Sequence, residues 1–359
     1  MEGGEITEKA KDLNRDHSFN STKKGGSIMS SDKKLQKGIT RRDFFKGAAV
    51  AGAAVAGAGA LTNYAQARGH HGSGWGYGWQ DEGLPLDEVH ACGKDLESMM
   101  LLRSSPIGIK MLRPKDQVPE GARRPGQEES GDIIGGRLSL CQAFGLARRG
   151  NPGKTIAMFA EDHRCFEPVI AFGLKPPDAT GAPDYLGGGT TYPFLIADLE
   201  AAAKHAQEDP RLPYREGSGM VFGPLKVINF NPDLVMIYCN PGQLRHLTLA
   251  LGYKHAYMVN SSFYGIGSCG RAAVPPLLTG EATITIPDPG EYDRAGTTED
   301  MMILTLPARK MKWRNLFQDM MEGLRTLNAY MPYTSFALSV RSDHPQPAFY
   351  KAFFNAWGL

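Results

Sequence analysis

Five cysteines, Cys92, Cys141, Cys165, Cys239 and Cys269, are the residues of this 359-residue chain best equipped for chemistry. Neither C-x-x-C nor C-x-x-C-H occurs, which argues against a zinc ribbon, a thioredoxin-type dithiol and covalently attached c-type haem. The count is odd, so at least one thiol stays unpaired, binds something or pairs with another chain. Cys269 stands in "GIGSCG", with Gly265, Gly267 and Gly270 around it and Arg271 directly after it. Glycines let the backbone approach a bulky ligand and present amide donors to it. A thiol beside an arginine or a helix N-terminus also ionises more readily than one inside an apolar helix.

Three chemistries fit this set. Cys141, Cys165 and Cys269 can hold a metal centre: an iron-sulfur cluster with one iron left to an outside ligand or to His163, or a zinc ion completed by that histidine. The structural alternative is a disulfide from Cys141 to Cys165 or from Cys165 to Cys269, worth about 3 to 4 kcal/mol, in a cofactor-free periplasmic binding protein. The third makes one cysteine a nucleophile assisted by His163 or His246, although no protease or transferase signature accompanies it. Glu161, Asp162 and His163 form a polar cluster suited to a ligand or a general base, or to a solvated turn. Arg271 can hold an anion or pair with a local carboxylate. "GIGSCG" lacks the lysine of a phosphate-binding loop and the full dinucleotide fingerprint, which discounts nucleotides.

Periodicity supplies the elements that must position these groups. "LDEVHACGKDLESMMLLR" has helical spacing, and Cys92 within it reads as a small buried hydrophobe. "SPIGIKML" alternates as a strand, and "LSLCQAFGLARRG" is a helix ended by Gly150. "KTIAMFA" is a strand leading into "EDHRCFEPVIAFGL". "PFLIADLEAAAKHAQ" is a helix with Leu195, Leu199, Ala202 and Ala206 on one side. "VFGPLKVINFNPDLVMIYC" holds two strands, the second apolar enough to be covered on both faces. "GQLRHLTLALGY" is a helix, "KHAYMVN" and "ATITIPD" are strands, and "WRNLFQDMMEGLRTL" is a helix. The expected fold is α/β, a mixed sheet with flanking helices. The order helix, strand, cysteine loop, apolar segment occurs twice, around Cys165 and around Cys269, as in two related halves whose strand ends face one pocket.

The N-terminal stretch "ITRRDFFKGAAVAGAAVAGAGALTNYAQARG" has the layout of a twin-arginine export signal. Arg41 and Arg42 precede an uncharged Ala/Gly/Val run, and a small-x-small site ends at Ala67. The run from Gly47 to Leu61 falls short of the roughly 20 residues a spanning helix needs and is rich in Gly and Ala rather than Leu. Export by this route, which carries folded chains, fits a cofactor acquired in the cytoplasm, fast autonomous folding or travel with an exported subunit. The expected localisation is periplasmic or otherwise extracytoplasmic.

The chain then divides into a polar N-region and signal (1–67), a Gly/aromatic-rich leader (68–85), an α/β domain (86–328) and an aromatic tail (329–359). Of 40 Lys and Arg, 11 lie in residues 1–67, leaving 29; of 38 Asp and Glu, 7 lie there, leaving 31. A chain so near neutrality carries no electrostatic footprint for nucleic acid. The expected partners are a redox partner or an exported subunit. Membrane contact is expected only through an uncleaved signal or the aromatic tail, in which Phe349, Tyr350, Phe353, Phe354 and Trp357 share one helical face.

The segments "SSPIGIKML", "LSLCQAFGLARRG", "EDHRCFEPVIAFGL", "NPDLVMIYCNPGQLRHLTLAL", "GIGSCGRAAVPPLLTGEATITIPDPG" and "TTEDMMILTLPARK" resemble, in that order, the domain of unknown function 169 family, over about Leu96 to Leu324. The resemblance implies cysteines at the places of Cys141, Cys165 and Cys269, and leaves Cys92 and Cys239 outside the pattern. The export signal and the tail are additions to that domain.

Overall fold

The computed structural model describes residues 79–125, 137–150, 155–178, 184–193, 195–214, 217–311, 315–329 and 331. The segment read as an export signal, the first part of the leader (68–78) and the tail at 330 and 332–359 lie outside the described residues. Among the described residues, no helix is long and apolar enough to cross a membrane.

The elements follow the chain as β1 (Trp79–Gly83), α1 (Leu86–Met100), β2 (Ile107–Leu112), α2 (Leu140–Arg148), β3 (Ile156–Phe159), α3 (Phe166–Ala171), α4 (Leu199–Glu208), β4 (Gly219–Pro224) and β5 (Leu234–Cys239). They continue as α5 (Pro241–His255), β6 (Asn260–Ser261), α6 (Ser268–Thr279), β7 (Thr283–Thr285), α7 (Pro289–Ala295), β8 (Met302–Pro307), β9 (Arg309–Met311) and α8 (Leu316–Thr326).

A seven-stranded mixed sheet in the order β3-β4-β2-β5-β8-β7-β6 forms the middle layer. Every residue of β5 is buried, as its unbroken apolar run requires for a strand covered on both faces. Alternation sorts the strands' side chains into two cores. Met236 and Tyr238 of β5 face the core packed by α2, α3 and α6. Val235, Ile237 and Cys239 face the other, packed by α1, α5 and α8. Helices therefore cover both faces of the sheet.

Several elements differ from the periodicity reading. The expected leader ends in β1, which pairs antiparallel with β9. The helix expected from Pro193 starts only at Leu199, because the Asp198 side chain accepts a hydrogen bond from Ala201 N at 2.8 Å and caps it there. Leu195 and Leu199 are accordingly exposed. The apolar segment after Cys269 is a full helix despite Pro275 and Pro276 inside it, burial of its Ala/Val/Leu face outweighing proline's poor helix propensity. Neither β8, a central strand, nor α7 stood out as an element.

The strands also revise the two-halves picture. Pairing is antiparallel from β3 through β4, β2, β5, β8 and β7, and parallel only between β7 and β6. Strands β3 and β6 thus occupy opposite edges and run in opposite directions. Their carboxyl ends do not face one pocket, and the cysteine loops reach one another by the starts of helices instead.

Candidate functional site

Four helices begin in one neighbourhood on the α2, α3 and α6 side of the sheet. Cys141 is the second residue of α2, Cys165 caps α3, Cys269 is the second residue of α6, and Asp288 caps α7. Asp288 ties two of these starts together, its Oδ2 accepting from Ser268 N at 3.0 Å and its Oδ1 from Glu291 N at 3.1 Å. A Cβ placed on Gly290 would stand 3.8 Å from Cys141 Sγ, which brings α7 against α2. The carboxyl group of Glu167, in the first turn of α3, occupies the space where a side chain at Gly267 would begin. Gly267 needs to be glycine twice over, since its φ is +70°. Gly270 packs 3.3 Å from Ala171 Cβ when given a Cβ, whereas nothing lies within 4 Å of one at Gly265.

The thiols are neutral and set among carboxyls. Cys141 donates to Ser139 Oγ at 3.2 Å, and burial pushes it up to about 12, with Glu291, Asp288 and Cys165 adding to the rise. Burial likewise raises half-buried Cys165. Cys269 is raised well above an ordinary thiol by burial, then by Glu167, Asp288, Cys141 and Glu291. The same closeness acts on the acids. Glu167 is pushed up to about 8 by burial, then by Asp209 and Asp288, against the pull of Arg271. Fully buried Glu291 reaches about 8 by burial and Asp288, although Tyr238 Oη donates to both its oxygens at 3.2 Å and Ser268 Oγ to one at 3.4 Å.

A second group adjoins Glu167. Arg271 in α6 pairs with Asp209 Oδ1 at 3.0 Å, meets His205 Nδ1 at 3.3 Å and lies over the Tyr264 ring, 4.5 Å from its centroid. His205 stacks on the same ring at 4.7 Å and 9°. Tyr185 donates to the other oxygen of Asp209 at 3.1 Å. His163 stands apart from these contacts, its backbone bridged to Leu138 beside the start of α2. Among the described residues neither of its buried ring nitrogens has a partner, and burial lowers its pKa to about 4.

This geometry overturns the metal centre. Cys141, Cys165 and Cys269 do approach one another, yet among the described residues no group of three or more His, Cys, Asp or Glu is placed to hold a metal ion. The sulfurs are interleaved with Glu167, Glu291 and Asp288, and Cys141 spends its hydrogen on Ser139. Cys141, Cys165, Cys269 and His163 therefore do not form an iron-sulfur or zinc site among the described residues. The disulfide alternative fails as well, because all five cysteines are free. Raised thiols make poor nucleophiles, and His246 belongs to α5, in the helix layer across the sheet. Arg271 pairs with Asp209. In the polar cluster, Asp162 and Glu161 are held by Arg124, at 2.7 and 2.8 Å.

Glu167, Asp209, His205, Tyr264, Asp288 and Glu291 were missed in the sequence. Only Asp288 and Glu291 carried a signal: Asp-Pro-Gly-Glu is a helix start with a capping residue, proline at the first position and an acid at the third.

Residues 95–313 match the model of the family DUF169, described as "Uncharacterised ArCR". An uncharacterised protein of Methanocaldococcus jannaschii is 24% identical over 234 residues, covering 64% of this chain and 93% of its own. No solved structure matches.

Proposed function

The chain belongs to the domain of unknown function 169 family, and from that premise we propose that it is an exported binding protein whose centre is a closed seat for a small polar molecule, built from protonated carboxyls and thiols. One observation carries this reading. Among the described residues, Glu167 Oε1 is shut from solvent without a hydrogen-bond partner, against Gly267, where any side chain would collide with it. A buried, unpaired carboxyl oxygen costs about 1 to 3 kcal/mol, and such a cost is kept where a ligand relieves it. With Glu167 and Glu291 held to about 8, both carboxyls keep their protons at neutral pH and offer O–H groups. Cys141, Cys165 and Cys269 line it as neutral groups.

The test is a thermal-shift panel of neutral, anionic and cationic small molecules at pH 7, run on the protein and on Glu167→Ala. A class of compound that raises Tm in the first and not in the second is expected. The reading is abandoned if no class separates the two proteins.

Export rests on the twin-arginine layout at Arg41 and Arg42 and on the short, Gly/Ala-rich run behind them. The working compartment is accordingly periplasmic or otherwise extracytoplasmic.

A further inference from the structure

Among the described residues, four buried polar atoms of this group have no hydrogen-bond partner: Glu167 Oε1, Arg271 Nε, His205 Nε2 and Asp209 Oδ1, the last held only by its 3.0 Å ion pair with Arg271. Their neighbours fix what each can offer. A guanidinium has donors only, so His205 Nδ1, 3.3 Å from the Arg271 terminal nitrogen, is the acceptor and the ring proton sits on Nε2. His205 is 4% exposed, and burial together with Arg271 lowers it to about 4, which leaves the ring neutral. Arg271 offers Nε–H, and Glu167 offers O–H while protonated. These three are donors that no described residue receives, while Asp209 Oδ1, the acceptor of the group, faces the terminal nitrogen of Arg271. On the solvent side, Tyr264, 39% exposed, stacks over both His205 and Arg271, in a loop where Gly265 has open space around it.

We propose that the Glu167, His205 and Arg271 group is the seat of a small monocarboxylate, which accepts the three unused hydrogens. The inference rests on the reading of this centre as a ligand seat and names the class of ligand. A carboxylate answers a set of donors that a cation or an apolar molecule would leave unpaired. The charge limits it to a monoanion: the guanidinium is already shared with Asp209, and Asp288 lies close enough to act on Glu167. A phosphate dianion would face both carboxyl groups with only one arginine to offset it.

Binding weakens as pH rises past about 8, where Glu167 gives up its proton and becomes an acceptor itself. The groups acting on that carboxyl are Asp209 beyond α4, Asp288 before α7, Arg271 and Cys269 from α6, Tyr185, and Cys165 on its own helix.

Acetate, propionate, acetamide, chloride and inorganic phosphate are titrated into the full chain at pH 6.5 and pH 9.5, read by Tm and calorimetry. Saturable acetate or propionate binding at pH 6.5 is expected, at least about tenfold weaker at pH 9.5, in Arg271→Lys and in His205→Phe, which keeps the stack on Tyr264 but has no Nε2–H. The His205 Nε2 resonance of the unaltered protein should move with acetate, a readout that stands even where a variant fails to fold. Acetate acting no better than chloride, or phosphate binding more tightly than acetate, overturns the carboxylate. A response to acetamide that Glu167→Ala abolishes would then leave the seat itself standing, and no response to any probe would remove both.

Discussion

Glu291 carries no surface exposure, yet its carboxyl keeps its proton to about 8 against an ordinary 4.5. The folded chain therefore binds more protons than the unfolded one between those values, and stability falls as pH rises through that window and levels above it. Glu167 acts in the same direction. His163 and His205 act in the opposite one below their ordinary 6.5, because the fold holds them neutral down to about 4. Between pH 6.5 and 8 these two histidines no longer act while the two acids do, and the stability measured in urea should decline across that interval, by at most about 1.4 kcal/mol per pH unit for each group. Glu291→Gln should flatten part of the decline; a wild-type midpoint that rises there contradicts the assignment. Gly267→Ala tests the neighbouring contact. It forces a side chain into φ +70° and against the Glu167 carboxyl, and should cost about 1 to 3 kcal/mol. Adding Glu167→Ala should return the part due to collision and leave the part due to φ. Full additivity of the two changes in urea denaturation would show that the carboxyl and the glycine do not meet.

Asp288 is a helix cap that holds two helices, since its carboxylate receives the first amide of α6 as well as Glu291 N in α7. Asp288→Ala should cost about 1 to 2 kcal/mol, with faster amide exchange at the starts of both α6 and α7. Loss of protection in α7 alone would mean that the bridge between them carries no weight. Elements of this kind were unevenly legible. The strands at 107–112, 156–159 and 234–239 and the helices at 86–100 and 140–148 follow from periodicity and caps, which are local signals. Strand β8 is a short apolar run with no alternation, and such runs do not separate strand from helix without knowing what covers them. Helix α6 reads against its own prolines and exists because tertiary burial outweighs propensity. The site suffered most from this. The cysteines stood out by residue type, whereas Glu167 and His205 look like surface residues of short helices until packing shuts them in.

Across the whole molecule, the sheet sorts the five cysteines as the family resemblance would: Cys269 packs in the core under α2, α3 and α6, with Cys141 and Cys165 at the helix starts above it, while Cys92 and Cys239 sit in the opposite core. That the two sets take opposite faces of the sheet was not legible from spacing along the chain, since it depends on how the strands pair. The order of strands has a further consequence. β2 pairs with β4 and β5, more than a hundred residues on, and β8 inserts between β5 and β7, so the sheet cannot close until nearly the whole domain has been made. Long-range pairings of this kind fold slowly, and an export route that accepts finished folds suits such a chain. Changing Arg41 and Arg42 together to Lys should leave the protein in the cytoplasm as a full-length precursor, measured by fractionation against the unaltered chain. If folding gates export, Gly267→Ala should also lower the exported fraction, and should recover it at lower growth temperature as the fold regains stability. Undiminished export of the lysine pair would remove the twin-arginine assignment. Undiminished export of a measurably destabilised chain would separate the route from the fold.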